Sequence, residues 1–548
     1  MQLPTKPLLR NIAPLLCSAI LCVVSGYVLA SLITEQLLVN SDSLAPIQAS
    51  QLLARNFFGE IFKINVARIP SIFPDLINLA GIHWLPIKPQ GSLAILVIYA
   101  WTSASLFLLL ATYLIIEIEQ ASFKQIPGYT AAICITTIGL AVTSHEMRYA
   151  LAHLFTPAHH GGNLLNTLVT ILVTLKLYRN SNSLLILIAW LSLGFLGVAS
   201  NKLFIFTAFI PIIIIFVLRS EIRKTPILHI ILFMAACAAG WHFSSLLNVQ
   251  CAPAFSLNLK ASMQAFQQYL QMGWIPLTSS LLSAVMAIAS ISKLRGCKSI
   301  QLNHFSGLAL ISLSTLSFYA YFPLLTSNGE APLRYALILF GNLPLLIFIC
   351  TDIACQHDPK RRTALLSILG LSALIFAPKN YRMNTPLDLT QATIQALRRH
   401  KPLENDIINF AMKNDLDSSM GFSDYWGAGI TMMSNDRLSV IPIHPSGFAD
   451  FWSLSPGYVD MVASQKETGI NYVVSTNTVF SNEIRKNFGK PDQSYGYDSK
   501  NRVFKPGTSS DTAEILIYNN NRIKSLALKS SRTFVRQCDR SKEGFRER

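Results

Sequence analysis

Residues 11–33 read NIAPLLCSAILCVVSGYVLASLI, and residues 34–43 read TEQLLVNSDS. The first string carries no charge and is long enough to cross about 30 Å of hydrocarbon. It is too long for a signal-peptide core and lacks a small-residue cleavage site, so it reads as a retained first span. The second string puts Asp42 a few residues beyond the membrane exit. A polar loop then extends from Thr34 to Gln90, through Arg55, Glu60, Lys63, Arg68 and Ile69-Pro70-Ser71-Ile72-Phe73-Pro74-Asp75. It is anomalous, because the sequence up to residue 378 is otherwise mostly apolar.

That apolar character repeats. The chain has 548 residues, of which 51% are hydrophobic and 14% charged. An average soluble domain carries about 25% charge. Apolar runs at 11–33, 91–116, 129–147, 163–178, 184–199, 202–218, 226–247, 273–292, 305–325, 333–351 and 363–378 predict a polytopic α-helical membrane protein with about eleven transmembrane helices. Lys6 and Arg10 flank the first span; Lys124, Lys176, Arg179, Arg219, Lys293, Arg295 and Lys360 recur in every second loop. The positive-inside rule then sets the N-terminus in the cytoplasm and everything after the eleventh span outside. The net charge of +16 is explained by these loops and a basic tail, which excludes a nucleic-acid reading. The nine cysteines show no metal-ligand spacing with histidine, so no metal site is expected from them.

Three segments follow from this. Residues 1–378 form the transmembrane domain, with the large first outer loop 34–90. Residues 379–521 become soluble in composition: Leu438–Ile443, Ile470–Val474 and Glu514–Tyr518 read as strands among helix-like stretches, giving a small α/β or α+β extracytoplasmic domain. Residues 522–548 read as a basic, weakly ordered tail.

Candidate chemistry gathers in the outer loops. Asp42 can bind a divalent cation or take a proton from a hydroxyl, and Ser41-Asp42-Ser43 before Pro46 is equally good helix-capping chemistry. Glu146 is a second acid, or the partner of Arg148. His159-His160-Gly161-Gly162 opens a helix and suits a phosphate; a glycine turn into a span needs no ligand. Lys202 and Arg334, on the same side, can clamp a phosphate or snorkel to headgroups. Asp75 is a second acid in the first loop. Asp424 and Trp426, in Gly421-Phe422-Ser423-Asp424-Tyr425-Trp426-Gly427, suit a sugar acceptor, and also suit a helix entry.

The layout resembles the GT-C superfamily of integral-membrane glycosyltransferases. The likeness rests on an inner N-terminus, an Asp just after span 1, an acid in the second outer loop, and many spans ending in an outer domain. The Phe73-Pro74-Asp75 and Pro157–Gly162 stretches are also similar to those of bacterial multispan proteins with outer tails. The resemblance implies sugar transfer from a polyprenyl-phosphate donor to a glycan, lipid or protein acceptor, at a bacterial-type inner membrane. It implies catalytic roles for Asp42 and Glu146, and phosphate contacts from Arg148, His159, His160, Lys202 and Arg334. A divalent cation is compatible with it, although Ser43 stands where many members carry a second acid. Two other classes fit the composition: a transporter or flippase for a lipid-linked or amphipathic substrate, and a non-catalytic membrane assembly protein. Convergence of Asp42, Glu146 and a basic residue favours the enzyme; a polar path to the inner side favours the transporter.

Overall fold

A computed structural model describes residues 5–532, apart from 38, 40, 56–64, 67–70, 86–90, 158–159, 181, 219–226, 250–257, 272, 295–298, 326–332, 356–357, 359–360, 362–364, 366–398, 400, 425–426, 428, 435, 450–455 and 467–468. The first half is helical: α1 (Thr5–Ile33), α2 (Ser41–Arg55), α3 (Ile77–His83), α4 (Ser92–Glu119), α5 (Ile126–Thr143), α6 (His145–Leu154), α7 (Gly161–Arg179), α8 (Leu184–Ser200), α9 (Ile210–Leu218) and α10 (Ile227–Leu246). It continues through α11 (Leu259–Gln271), α12 (Trp274–Leu294), α13 (Ser299–Leu316), α14 (Phe318–Leu325) and α15 (Leu337–Ala354). Short strands β1 (Asn65–Val66) and β2 (Asn248–Val249) pair in parallel and tie the first loop to the segment after α10.

Among the described residues seven helices are long and apolar enough to cross a bilayer, at 12–33, 92–119, 123–143, 227–246, 274–294, 303–325 and 337–354. They match seven of the expected runs. Two more, Leu184–Ser200 and Ile205–Leu218, are shorter apolar helices. Expected span 163–178 is helical as α7, and its Asn163, Asn166, Thr167, Thr170 and Thr174 keep its mean hydropathy low. Expected span 363–378 lies outside the described residues. Two expected runs are cut short or divided. The run 129–147 stops at Thr143, because Ser144 accepts the Met147 amide and starts a separate helix, α6. The run 305–325 divides at Ser317, between α13 and α14.

The C-terminal part is an α/β domain. It contains α16 (Pro402–Lys413), β3 (Met420–Ser423), α17 (Gly429–Met433), β4 (Ser439–Pro442), α18 (Pro456–Gln465), β5 (Asn471–Ser475), α19 (Thr478–Phe488), β6 (Gln493–Asp498), β7 (Val503–Pro506), β8 (Glu514–Tyr518) and α20 (Arg522–Arg532). The sheet order is β4-β3-β5-β8-β6-β7. β3 runs parallel to β4 and β5, while β8 runs antiparallel to both β5 and β6. Strand side chains alternate between faces. Val440, Tyr472, Val474, Ile515 and Ile517 join Ile407, Ile430 and Met433 of α16 and α17 in a core continuous with the membrane helices. Met420, Phe422, Ile441, Val473, Leu516 and Tyr518 meet Val459, Ile484, Ile523 and Ala527 of α18, α19 and α20 on the other face. The sheet is thus covered on both sides. Helix α20 corrects the expectation of weak order from residue 522: Ile523 and Ala527, one turn apart, are buried.

The domain docks on the first-loop end of the bundle. α17 packs against α2 and α4, and α18 against α2. Asp436 Oδ2 accepts from the Ser92 amide at 2.8 Å and the Ser92 hydroxyl at 2.9 Å, so a residue of this domain caps helix α4. Lys401 Nζ donates to the Val39 carbonyl at 3.0 Å. Helix α15 begins beside the same end and runs 18 residues away from it, about 27 Å at 1.5 Å per residue. Ala354 and Lys401 therefore lie at opposite ends of the bundle.

Candidate functional site

Helix α6 organises the site. Its capping by Ser144 aims it across the bundle end, where it packs against the turns Thr34–Gln36 and Leu333–Tyr335. The first turn leads to Asp42, in the opening turn of α2. The second carries Arg334. Arg334 Nη1 lies 3.5 Å from Asp42 Oδ2, with the side chains 35% and 21% exposed. The pair is half-buried, where a counter-charge is worth more than on an open surface. Asp42 and Arg334, both expected at the site, are brought together.

The surroundings of Arg334 are aromatic and histidine-rich. Its guanidinium stands 5.6 Å from the Tyr335 ring. Tyr321 holds this turn by donating to the Tyr335 carbonyl at 2.8 Å. The Tyr335 ring meets the His160 ring edge-on at 5.5 Å. His160 is buried, with Asn201 Nδ2 3.2 Å from its Nδ1. Burial, then the charge of Arg334, then His153, lower its pKa to about 3. It is a neutral imidazole at physiological pH and can supply a hydrogen bond, not a charge. The Arg334 Nε is buried and has no hydrogen-bond partner among the described residues, so part of the guanidinium fork is unspent.

The other expected residues go elsewhere. Glu146 is exposed and accepts from Ser144 Oγ at 2.7 Å, a bond that holds its carboxyl below the usual range. Arg148 donates to the carbonyls of Ala141 and Val142, each at 3.0 Å, and so satisfies the end of α5. Neither Glu146 nor Arg148 pairs with Asp42 or Arg334. Lys202 Nζ sits 4.3 Å over the Trp241 ring. His159 and Trp426 lie outside the described residues.

Asp75 corrects the phosphate reading of Gly161-Gly162. It is fully buried and accepts from Tyr99 at 2.6 Å. A Cβ on Gly162 would lie 2.6 Å from Asp75 Oδ1, and one on Gly161 would lie 1.8 Å from the Leu154 carbonyl oxygen. The glycines allow close packing, and the Asp75 side chain occupies the space at the start of α7. The loop around it is pinned by Phe73 donating to Ser200 Oγ and by Asn166 donating to the Phe73 carbonyl. Asp424 lies in the soluble domain, accepting from the Gly427 amide at 3.1 Å.

Sequence reasoning missed Asp436, Asn201 and Tyr335. Asn201 and Asp436 fall in turns, but nothing in those turns marks the distant partners they meet. As for metals, no group of three or more His, Cys, Asp and Glu side chains gathers among the described residues. Asp42 faces the Arg334 guanidinium. Comparison with protein-family models, curated proteins and solved structures finds no match.

Proposed function

We propose that this chain is a membrane glycosyltransferase of GT-C type, moving a sugar from a polyprenyl-phosphate donor to an acceptor at the bundle end covered by the C-terminal domain. The observation that carries the reading is the Asp42–Arg334 pair, placed by the first loop and the 333–335 turn beneath an α/β domain docked on that end. A base and an anion clamp side by side suit this reaction. The acceptor hydroxyl attacks the anomeric carbon and gives its proton to Asp42. The bond from that carbon to the phosphate oxygen breaks, and the phosphate leaves with the electron pair toward Arg334, whose Nε has no partner among the described residues. Glu146 and Arg148 are left outside this chemistry by their own bonds.

Sidedness follows from charge. Arg179 ends α7 and Lys293 ends α12, both away from the first loop. Basic residues at that end argue for a cytoplasmic face, and so for an outer position of Asp42 and the C-terminal domain in a plasma membrane.

One observation favours the transporter reading: Asn163, Asn166, Thr167, Thr170 and Thr174 follow one face of α7, buried, from Asp75 toward the Arg179–Glu117 ion pair. Against it, the Thr170 and Thr174 hydroxyls bond their own helix, to the carbonyls of Asn166 and Thr170. A deletion strain separates the two. Under the enzyme reading it lacks one glycan or glycolipid, wild-type protein restores it, and Asp42→Ala does not. Restoration by Asp42→Ala contradicts the role of Asp42.

A further inference from the structure

The buried polar groups around Asp75 take no part in the sugar-transfer step. Asp75 belongs to the first-loop turn Ile72–Leu76, which packs against α7, and is 0% exposed. Two asparagines of α7 stand beside that turn or next to it, Asn163 at 7% and Asn166 at 1% exposure. Asn166 Nδ2 donates to the Phe73 carbonyl at 2.8 Å, and Asn163 Nδ2 donates to Thr207 Oγ1 at 3.2 Å. A carbonyl only accepts, so the Asn166 amide is fixed with its nitrogen toward Phe73 and its oxygen turned away. That Oδ1, like the Oδ1 of Asn163, is buried and has no hydrogen-bond partner among the described residues. Buried acceptors left unmatched are costly, and a donor or a cation is what relieves them.

We infer that Asp75, Asn163 and Asn166 form a cation site between the first loop and α7, and that its ion is monovalent, with sodium the fitting one.

Spacing supports a single bridging ion. A Cβ added to Gly162 would lie 2.6 Å from Asp75 Oδ1, so the carboxylate stands where a Gly162 side chain would be. Gly162 and Asn166 are four residues apart and Asn163 and Asn166 three, so all three positions share one face of the helix, about 5–6 Å from turn to turn. A cation of sodium or calcium size holds each oxygen at about 2.3–2.6 Å and so joins oxygens about 5 Å apart. Charge selects the valence. The set offers one carboxylate and two neutral amide oxygens, which a monovalent ion neutralises; a divalent ion would leave net charge buried. Tyr99 donates its hydroxyl to Asp75 Oδ1 at 2.6 Å, the arrangement an ionised carboxylate requires. The donors are all hard oxygens, which excludes soft metals. The ion ties the first loop, and with it the segment that carries Asp42, to α7. It rests on no assumption about sugar transfer.

Thermal unfolding of the full chain in nanodiscs tests this, in choline chloride with sodium or potassium chloride substituted at constant ionic strength. Sodium is expected to raise the Tm saturably, by at least about 2 °C, and potassium by clearly less. Asp75→Asn keeps an acceptor for Tyr99 and should lose the sodium shift. Asn166→Asp adds a second carboxylate and should move the stabilisation from sodium to calcium, a gain that misfolding cannot mimic. An equal Tm in the three salts overturns the inference and leaves the asparagine oxygens to water. So does an undiminished sodium shift in Asp75→Asn or, if that variant does not fold, an unaltered preference for sodium in Asn166→Asp.

Discussion

Arg334 is the residue through which the site is joined: it meets Asp42 at 3.5 Å, stands over Tyr335 and acts electrostatically on His160. Replacing it with Gln leaves the turn and its Tyr321 bond in place and removes the clamp. Loss of one such group costs on the order of 10²-fold in rate, so Arg334→Gln should lower sugar transfer by about that factor with little change in protein abundance. His160 gives a pH signature. Its pKa falls from 6.5 to about 3, so its stabilising contribution is complete above pH 6.5 and is lost as pH drops from there toward 3. At about 1.4 kcal/mol per unit, the loss at pH 5 is about 2 kcal/mol. Thermal unfolding should show a lower Tm at pH 5 than at pH 7, and His160→Asn should remove most of that difference; a variant that keeps it contradicts the assignment. Asp42 was legible in the sequence because a carboxylate just past a span is conspicuous. Its pairing with Arg334 was not, since it depends on how α6 brings two distant turns together. Local pattern also misread Gly161-Gly162, where only the packed structure reveals Asp75.

At the scale of elements, the close approaches and caps are the points to test. Gly162→Ala pushes a methyl to within 2.6 Å of the buried Asp75 carboxylate and should destabilise the bundle by about 1–3 kcal/mol, read as a lower Tm. The α19–β8 contact tests the soluble layer. Glu514 is 4% exposed and paired with Arg485 at 2.9 Å. Arg485→Met leaves a buried charge unpaired, at a cost of about 3–5 kcal/mol, and adding Glu514→Gln should recover much of it. Protease resistance of the C-terminal domain in wild type, single and double variants measures this; equal sensitivity of the two variants contradicts the pairing. Helices with strong apolar runs, such as α1, α4 and α15, were readable directly from composition. Strands β6 and β7 were not, because exposed polar positions in Gln493–Asp498 and Val503–Pro506 mask their alternation. Helix α20 was hidden by its basic face, although Ile523, Leu526 and Ala527 fall at helical spacing.

At the scale of the molecule, a helical membrane body and a two-faced α/β domain share one apolar core, joined by α17 against α2 and α4. The membrane class and the soluble tail were legible because burying apolar runs in lipid leaves a gross compositional mark. The docking was not, because Asp436 and Ser92 carry no mark before they meet. Asp436→Ala should cost about 1 kcal/mol, the usual worth of a helix cap, and increase proteolysis between the two parts. The central claim is that Asp42, paired with Arg334, takes the proton of the acceptor during sugar transfer. The most direct measurement is transfer by the purified full chain in nanodiscs, from a panel of polyprenyl-phosphate hexoses and pentoses, comparing wild type with Asp42→Asn at matched Tm. The account predicts transfer from at least one donor and a loss of at least about 10²-fold in the variant; transfer by Asp42→Asn at the wild-type rate would contradict it.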